Sequence, residues 1–401
     1  MRKPFLLFTV VISAVLVACG AVLAQARPPG GQGPERYIVV LDEGVSDPGR
    51  AADAMARRYG LGVGFVYGHA LKGFSATIPE ARLEAVRSEG RVAYVEHDGT
   101  AHATDQTLPW GIDRVDADVS STQAGNGSGT ISNVNAYIID TGIDAGHADL
   151  NVAQDVNFAN GPSSDCHGHG THVAGTLAAK DNAAEVVGVA PGAPLTGVKV
   201  LGNNASGCNI YGYTSVIIKG VDWVTANAQR PAVANMSLDN KASRALDAAV
   251  RNSAASGVFY SIAAGNVAES ACNWSPARAG LAKIDTNGDG VVNHNDSNGI
   301  VTTAATNATN QEASFSNYGK CVDIWAPGVG IPSTLLGGGI ATRSGTSMAT
   351  PHVAGGGALY LSAHAGSTPT AIEQALKAAA VKPGTKSKDG RAVTLEYVGG
   401  F

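Results

Sequence analysis

The spacing of hydrophobic and polar positions changes twice along the chain. Residues 5–18 form one largely apolar run, and residues 37–95 alternate short apolar runs with amphipathic stretches. From about residue 136 onward, continuous apolar runs of strand length are separated by stretches with helical periodicity. The pattern therefore predicts an apolar leader followed by two differently built folded parts.

The first folded part has the order β-α-β-β-α-β, which is typical of a split-βαβ, ferredoxin-like α+β domain. About 70 residues are enough for such a small domain. The predicted strands are Tyr37–Leu41, Gly64–Tyr67, Gly73–Ile78 and Val92–Val95, and the predicted helices are Ala51–Tyr59 and Glu80–Ser88.

The second folded part is predicted to be α/β, with a parallel central sheet covered by helices on both faces. Apolar strands without alternation, separated by helices, indicate such a buried parallel sheet. The predicted strands are Ala136–Ile139, Leu195–Leu201, Ala232–Leu238 and Val258–Ala264, with helices at Gly212–Ala226 and Arg244–Ala255.

The apolar leader has the features of a secretory signal peptide. Arg2 and Lys3 precede the apolar run, and Ala24-Gln25-Ala26 supplies a small-x-small cleavage signal after residue 26. The run is too short for a stable membrane span, and no later stretch could span a bilayer. Residues 16–19 also resemble a bacterial lipobox, so lipid attachment at Cys19 is the alternative to simple secretion.

Charge and cysteine content narrow the class of protein further. The net charge is −5 and no run of Lys and Arg exceeds two residues, so the chain lacks the basic face that a nucleic-acid partner needs. Outside the leader the cysteines number four: Cys166, Cys208, Cys272 and Cys321. In an exported protein an even number favours two disulfides over buried thiols or a metal site, and no CxxC spacing occurs.

Chemically competent side chains stand at the ends of predicted strands and the beginnings of predicted helices. Asp140, Ser237 and Asn266 lie at or near strand ends, where ligands bind in open α/β sheets. His169 and Ser347 begin apolar helical segments, and a helix N-terminus favours developing negative charge. A hydroxyl, an imidazole and a carboxylate are the three groups that nucleophilic acyl transfer requires.

Three motifs carry a resemblance to a known family. They are Asp140-Thr141-Gly142, then His169-Gly170-Thr171-His172, then Gly345-Thr346-Ser347-Met348-Ala349-Thr350-Pro351, in the chain order Asp, His, Ser that subtilisin exemplifies. Over roughly residues 103 to 390 the chain resembles the subtilisin family of serine proteases, and within it the proteinase K and aqualysin branch.

The resemblance implies a role for each of these positions. Asp140 would orient the imidazole, His169 would act as general base and then acid, and Ser347 would attack the peptide carbonyl. Asn266 would donate a hydrogen bond to the oxyanion. The implied substrates are proteins or peptides, and catalysis needs no cofactor.

The implied substrate pocket departs from the family pattern. Ser237, Leu238, Ala264 and Gly265 match pocket residues, but Asp239-Asn240 replaces the usual Gly-Gly. Asp239 either favours Lys or Arg side chains at the pocket rim or points to solvent. Ile210-Tyr211 stands where relatives often have Gly-Ser, which would reshape the more distal subsites.

The resemblance also implies the processing and cross-linking of the chain. After the signal peptide predicted at residues 1–26, residues 27–102 would be an inhibitor-type propeptide and residues 103–401 the peptidase domain. Cleavage would fall between His102 and Ala103. The implied disulfides are Cys166–Cys208 and Cys272–Cys321, and the implied oligomeric state is a monomer.

A twelve-residue segment fits a calcium-binding loop. Oxygen ligands recur at positions 1, 3, 5, 9 and 12, with Gly at position 6 and a backbone carbonyl at position 7. The expected ligands are Asp285, Asn287, Asp289, Val291, Asn293 and Asp296, within an insertion at about residues 279–299. Calcium would stabilise the fold here. The alternative is a solvated acidic turn.

Two other functions compete with the protease interpretation. The spacing of His167, His169 and His172 could hold zinc in a metallohydrolase, but that leaves Ser347 and Asn266 without roles. The chain could also be an inactive, calcium-dependent binding module on a subtilisin scaffold, although the triad and Asn266 are all present. We therefore predict a secreted serine endopeptidase.

Overall fold

The structure is a computed structural model that describes residues 35–98, 106–282 and 296–401. The chain divides into two compact units, residues 1–102 and residues 103–401.

The first unit is a four-stranded antiparallel sheet with two helices. Its strands are ordered β2-β3-β1-β4, so the predicted split-βαβ arrangement is confirmed. Alternate side chains of the first strand, Tyr37, Val39 and Leu41, join Met55 and Phe74 in the core. The elements are β1 (Glu35–Leu41), α1 (Pro48–Tyr59), β2 (Gly62–Tyr67), β3 (Gly73–Ile78), α2 (Glu80–Arg87) and β4 (Val92–His97).

The second unit alternates strands and helices along most of its length. Its elements are α3 (Trp110–Arg114), β5 (Asn135–Asp140), β6 (Val152–Asn157), α4 (His169–Ala178), β7 (Leu195–Lys199), α5 (Thr214–Asn227), β8 (Ala232–Met236), β9 (Asn240–Lys241), α6 (Arg244–Ala255), β10 (Val258–Ala263), β11 (Trp274–Ser275), β12 (Ile300–Thr306), β13 (Ile324–Pro327), β14 (Ile331–Thr334), β15 (Ile340–Arg343), α7 (Thr346–Ala363) and α8 (Pro369–Ala379).

Seven of these strands form one parallel sheet in the order β13-β12-β10-β8-β5-β7-β6. Neighbouring residues of β5 face opposite cores, because side chains alternate across a strand. Ile138 packs in the core that contains α4 and α7, whereas Ile139 packs in the core that contains α5 and α6. The predicted parallel sheet with helices on both faces is confirmed.

The strand pattern did not predict β6, β12, β13 or the hairpin of β14 and β15. β6 has the sequence VAQDVN and only half-buried or exposed side chains, as an edge strand of the sheet. β14 and β15 contain four residues each and lie outside the main sheet. The short or peripheral strands β6, β13, β14 and β15 lack the long continuous apolar run that marks the central ones. β12 is fully buried inside the sheet, but its sequence IVTTAAT contains three threonines that interrupt the apolar run.

Two disulfides cross-link the second unit, and they join Cys166 to Cys208 and Cys272 to Cys321. These are the two pairings that the resemblance implied. Across the described ranges, no helix is long and apolar enough to cross a membrane.

Candidate active site

The carboxyl ends of β5, β8 and β10 open onto one cleft. Because parallel strands end at the same edge of the sheet, residues far apart in sequence meet there. The cleft has a volume of about 290 Å³. It is lined by His169, Leu201, Ile210, Tyr211, Gly212, Ile217, Ser237, Leu238, Asp239, Asn240, Ala263, Asn266 and Ser347.

Asp140 and His169 form a direct hydrogen bond beside this cleft. Asp140 is fully buried at the end of β5, and its Oδ1 lies 2.7 Å from Nδ1 of His169. Burial of the imidazole would lower the pKa of His169, but the charge of Asp140 and the hydrogen bond to it outweigh burial and raise that pKa. A carboxylate on Nδ1 also fixes the tautomer that leaves Nε2 as the proton acceptor.

A second carboxylate fixes the backbone that carries His169. Oδ1 of Asp165 accepts hydrogen bonds from the backbone N–H groups of His167 and Gly168, each at 2.9 Å. Its Oδ2 accepts from the N–H and the hydroxyl of Thr171. Asp165 thus satisfies donors in the first turn of α4 that have no partner within the helix. The start of this helix, and with it His169, is held rigidly.

Ser347 is the second residue of α7, at the end of the helix where the positive potential is greatest. Pro351 lies four residues later and has no N–H, so the carbonyl of Ser347 lacks its usual helical donor. The hydroxyl of Ser237 supplies that donor at 2.8 Å. Oγ of Ser347 in turn donates to the carbonyl of Ser237 at 3.2 Å.

His169 and Ser347 face the same cleft, but no hydrogen bond joins them among the contacts of the described residues. Hydrogen bonds between nucleophile and base are often long or misaligned until substrate binds. Rotation about the Cα–Cβ bond of Ser347 would move its Oγ away from the carbonyl of Ser237 and toward the imidazole of His169.

Asn266 is oriented by its amide oxygen. Its Oδ1 accepts from the backbone N–H of Thr346 at 2.8 Å and from the Thr346 hydroxyl at 3.0 Å. A backbone N–H can only donate, so the amide orientation is unambiguous. The amide nitrogen is therefore the end of Asn266 available to a negatively charged oxygen in the cleft, next to the N-terminus of α7.

Searches against known proteins agree with this arrangement. Residues 132–398 match the Subtilase family, peptidase S8. The chain belongs to the subtilase family. Residues 36–104, in the first unit, match the peptidase inhibitor I9 family.

Several curated relatives resemble this subtilase over most of its length. It is 39% identical to an alkaline serine exoprotease A of Vibrio alginolyticus, over 84% of this chain and 62% of that longer protein. It is also 39% identical to an extracellular serine proteinase of Thermus sp. strain Rt41A, over 86% of this chain and 84% of the relative. A crystal structure of a cold adapted subtilisin-like serine proteinase has a TM-score of 0.60 and 40% identity, covering 72% of this chain and 97% of that one.

The residues expected to form the substrate pocket occupy different depths of the subtilase cleft. Ser237, Leu238 and Asp239 line one wall and Ala263 lines another. Ala264 is fully buried behind that wall. A Cβ on Gly265 would stand 2.3 Å from Nδ2 of Asn317 and 3.1 Å from Oδ2 of Asp239. Only glycine fits there, and the carboxylate of Asp239 lies against the opposite wall of the pocket.

The three histidines of the rival zinc motif do not converge on one point. Nδ1 of His169 is bound to Asp140, whereas Nε2 of His172 contacts the carbonyl of Ala341 at 3.0 Å. Burial lowers the pKa of His172 to about 4, so its ring is uncharged at neutral pH. In the described residues, no group of three or more His, Cys, Asp or Glu side chains is arranged to hold a metal ion.

Five of the six expected calcium ligands, Asp285, Asn287, Asp289, Val291 and Asn293, lie outside the described residues. Asp296 is described and fully buried, and its carbonyl accepts a hydrogen bond from Nζ of Lys377 at 2.8 Å. Glu373 binds the adjoining N–H groups of Asn298 and Gly299 at 2.7 Å each. The C-terminal end of the insertion is therefore anchored to α8.

Three residues that support the site were not singled out from sequence: Asp165, Thr346 and Asn317. Asn317 holds the loop after β10, since its Oδ1 accepts from the N–H groups of Val267 and Glu269 and its Nδ2 donates to the carbonyl of Ala264. Thr346 adjoins Ser347, and Asp165 lies four residues before His169. Their closeness to the catalytic motifs was the sequence feature that could have identified them. Asn317 is some 50 residues from Asn266, and no local pattern marks it.

Proposed function

We propose that this subtilase hydrolyses internal peptide bonds of proteins through an acyl-enzyme formed on Ser347. The observation that carries the proposal is the 2.7 Å contact between the buried Asp140 and His169, because His169 lines a cleft together with Ser347 and Asn266.

In this mechanism each side chain moves or stabilises a defined charge. Nε2 of His169 removes the proton from Oγ of Ser347 as Oγ bonds to the peptide carbonyl carbon. The carbonyl oxygen becomes an oxyanion beside the amide nitrogen of Asn266 and the N-terminus of α7. His169 then gives the proton to the leaving nitrogen, and water repeats the sequence to release the acid. Asp140 stabilises the imidazolium in both halves.

The test is inhibition of the purified mature protein with a quenched peptide substrate. We expect phenylmethylsulfonyl fluoride to abolish turnover and o-phenanthroline, which chelates zinc, to leave it intact. The matched control is Ser347→Ala from which residues 27–102 have been removed by cleavage in trans, and it should fold normally and hydrolyse no peptide above background. Turnover lost only to the zinc chelator would reject acyl transfer.

We infer that the protein is exported and that residues 27–102 act as its intramolecular inhibitor. The match of residues 36–104 to the inhibitor I9 family and the leader at residues 1–26 support this proposal. Cleavage is proposed between His102 and Ala103. N-terminal sequencing of the secreted wild type should begin at Ala103, whereas Ser347→Ala should retain residues 27–102. A lipid on Cys19 would instead appear as an acylated residue in the Ser347→Ala precursor.

We further propose that Asp285, Asn287, Asp289, Val291, Asn293 and Asp296 bind one Ca²⁺. The ligand spacing and the anchored end of the segment at Asp296 support the proposal. Calcium that binds only the folded state raises its stability by mass action. We expect EGTA to lower the melting temperature of wild-type protein by several degrees and to leave that of Asp289→Ala unchanged.

A further inference from the structure

One cation next to the catalytic histidine has no function in the mechanism above. Arg343 is the last residue of β15, four residues before Ser347. We propose that Arg343 binds a carboxylate on the leaving-group side of the scissile bond, and so directs cleavage to bonds followed closely by an acidic group. This inference rests on the proposed peptidase function and names a substrate preference within it.

Arg343 is held in place by the hairpin of β14 and β15. Ser333 and Thr334, on β14, donate hydroxyl hydrogen bonds to the carbonyls of His172 and Thr171 at 2.7 and 2.8 Å. On β15, the carbonyl of Ala341 contacts Nε2 of His172 at 3.0 Å. These three bonds fix both strands to the first turns of α4, the helix that begins with His169.

The guanidinium lies beside the residue that precedes the catalytic histidine. A Cβ placed on Gly168 would stand 3.4 Å from an Nη atom of Arg343. Its charge is close enough to lower the pKa values of His167, His169 and His172, although burial has the largest effect on each. Arg343 therefore lies on the His169 side of the site.

We assign the leaving group to that side. The cleft between Ser237–Asn240 and Ala263 is assigned to the acyl portion of the substrate; His169 borders this cleft, and Arg343 is not among its lining residues. His169 must reach the leaving nitrogen to protonate it, so the residues after the scissile bond pass next to the imidazole. The guanidinium of Arg343, beyond Gly168, would contact the side chains of these substrate residues or the free α-carboxylate of a short leaving peptide.

The guanidinium is available for a ligand. Arg343 makes no ion pair and no side-chain hydrogen bond within the described residues. The carboxylates near it are already engaged, since Asp140 binds His169 and Asp165 accepts four hydrogen bonds. A planar guanidinium binds a carboxylate through two parallel hydrogen bonds, which gives directional selectivity.

Two pairs of quenched peptides test the proposal. The two peptides of the first pair differ only at the second residue after the scissile bond, which is Glu in one and Gln in the other, and both continue beyond it. The two peptides of the second pair both end at that second residue, one with a free C-terminal carboxylate and the other with a C-terminal amide. We expect wild type to cleave at least one carboxylate peptide about three- to tenfold faster in kcat/KM, the range expected for a partly exposed charged contact. The pair that responds identifies the source of the carboxylate.

Arg343→Gln should abolish this ratio, and Arg343→Lys should keep part of it. Lys219→Gln, which removes an exposed cation from α5, should leave the ratio and turnover unchanged. Arg343→Gln should also shift the acidic limb of the kcat profile to higher pH, because Arg343 lowers the pKa of His169 against the opposing charges of Asp140 and Asp165.

Equal rates within both pairs for wild type, or an undiminished ratio in Arg343→Gln, would overturn the inference while leaving the peptidase function in place. Absence of any peptide cleavage by folded wild type freed of residues 27–102 would reject the proposed function itself.

Discussion

At Asn266 the amide oxygen is committed to Thr346, and this leaves the amide nitrogen for the cleft. A donor fixed in advance stabilises an oxyanion without reorganising during the reaction. We predict that Asn266→Ala lowers kcat by about 10² to 10³, the usual cost of one oxyanion donor. KM should change little, because the ground-state carbonyl makes a weaker bond there. Steady-state kinetics with a matched melting temperature check this prediction, and a kcat within threefold of wild type would contradict it.

Asp239 lines the cleft, with its carboxylate near Gly265, and we propose that it contacts the side chain before the scissile bond. Its ionised form should favour Lys or Arg before the scissile bond. We predict that Asp239→Asn, and likewise Asp239→Gly, lowers kcat/KM for a Lys substrate several-fold relative to a matched Leu substrate. Peptide-library profiling provides the measurement, with Asp222→Asn on α5 as a surface control.

The pH dependence of that preference follows from partial desolvation of the Asp239 carboxyl. Asp239 keeps an exposed surface, but the surrounding cleft desolvates its carboxyl and raises its pKa, so its negative charge is lost on acidification at a higher pH than for a fully solvated aspartate. The Lys-to-Leu ratio should therefore be greatest at neutral and alkaline pH and should fall as the pH drops through the raised pKa. A Lys preference that Asp239→Asn and Asp239→Gly leave unchanged would remove this role.

At the scale of elements, the disulfide between Cys166 and Cys208 ties the loop before α4 to the segment that borders the cleft. The two cysteines are 42 residues apart. A chain-entropy estimate for such a loop is about 4 kcal/mol, with measured gains often smaller. The carbonyl of Gly207, next to Cys208, also accepts a hydrogen bond from the buried Lys199 at 2.8 Å.

We predict that replacing both Cys166 and Cys208 by Ser lowers the melting temperature and also lowers kcat, because His169 lies three residues after Cys166. Replacing Cys272 and Cys321 by Ser removes a similar loop and should lower stability without the same loss of kcat. Calorimetry and kinetics on both double variants separate the two effects. Equal kcat values in the two double variants would contradict the idea that the disulfide between Cys166 and Cys208 steadies His169.

The elements predicted correctly from sequence were those marked by a strong local sequence pattern. β3 matches the prediction residue for residue, because an apolar run ends at a proline-initiated helix. The beginnings of α4 and α7 followed from the motifs around His169 and Ser347. The hairpin that carries Arg343 was not predicted, because its two strands contain four residues each, pair only with each other within the described residues, and combine a mostly buried β14 with an exposed or half-buried β15. Its position depends on tertiary bonds to α4, which no local pattern encodes.

At the scale of the whole molecule, Glu396 is an acid buried in the core next to α7. Its exposed fraction is 0%, and neither carboxyl oxygen has a hydrogen-bond partner within the described part of the chain. Burial raises the pKa of Glu396 well above its usual value. The folded protein therefore holds this proton more tightly than the unfolded chain.

The sign of the effect follows from proton linkage. Between the unfolded and folded pKa values the native state binds more protons, so stability falls as the pH rises, by about 1.4 kcal/mol per pH unit at most. We predict that Glu396→Gln raises the melting temperature at pH 8 and has little effect at pH 4. Thermal unfolding is measured in the Ser347→Ala background, with Glu or Gln at position 396, so that the protein cannot digest itself. A larger gain at pH 4 than at pH 8 would contradict the assignment.

The residues of the candidate site could be proposed from sequence, because each motif specifies its own strand end or helix start. Strand order brings His169 and Ser347 to one cleft and places Asp140 behind His169, and the motifs did not reveal this arrangement. Asn317, which holds the loop after β10, and the cation Arg343 lie on segments that pack against the motif residues. Only the folded structure therefore shows that they lie near the site. The calcium loop depends on spacing alone and remains a prediction.

The central claim is that Ser347 is made nucleophilic by His169 across a fold that joins distant residues. Mass spectrometry after reaction of the folded protein with phenylmethylsulfonyl fluoride tests it most directly. We predict one sulfonyl adduct, on Ser347, which forms in step with loss of activity and is at least 10²-fold slower in His169→Ala. An adduct on a different serine, or equal labelling of Ser347 in His169→Ala, would contradict it.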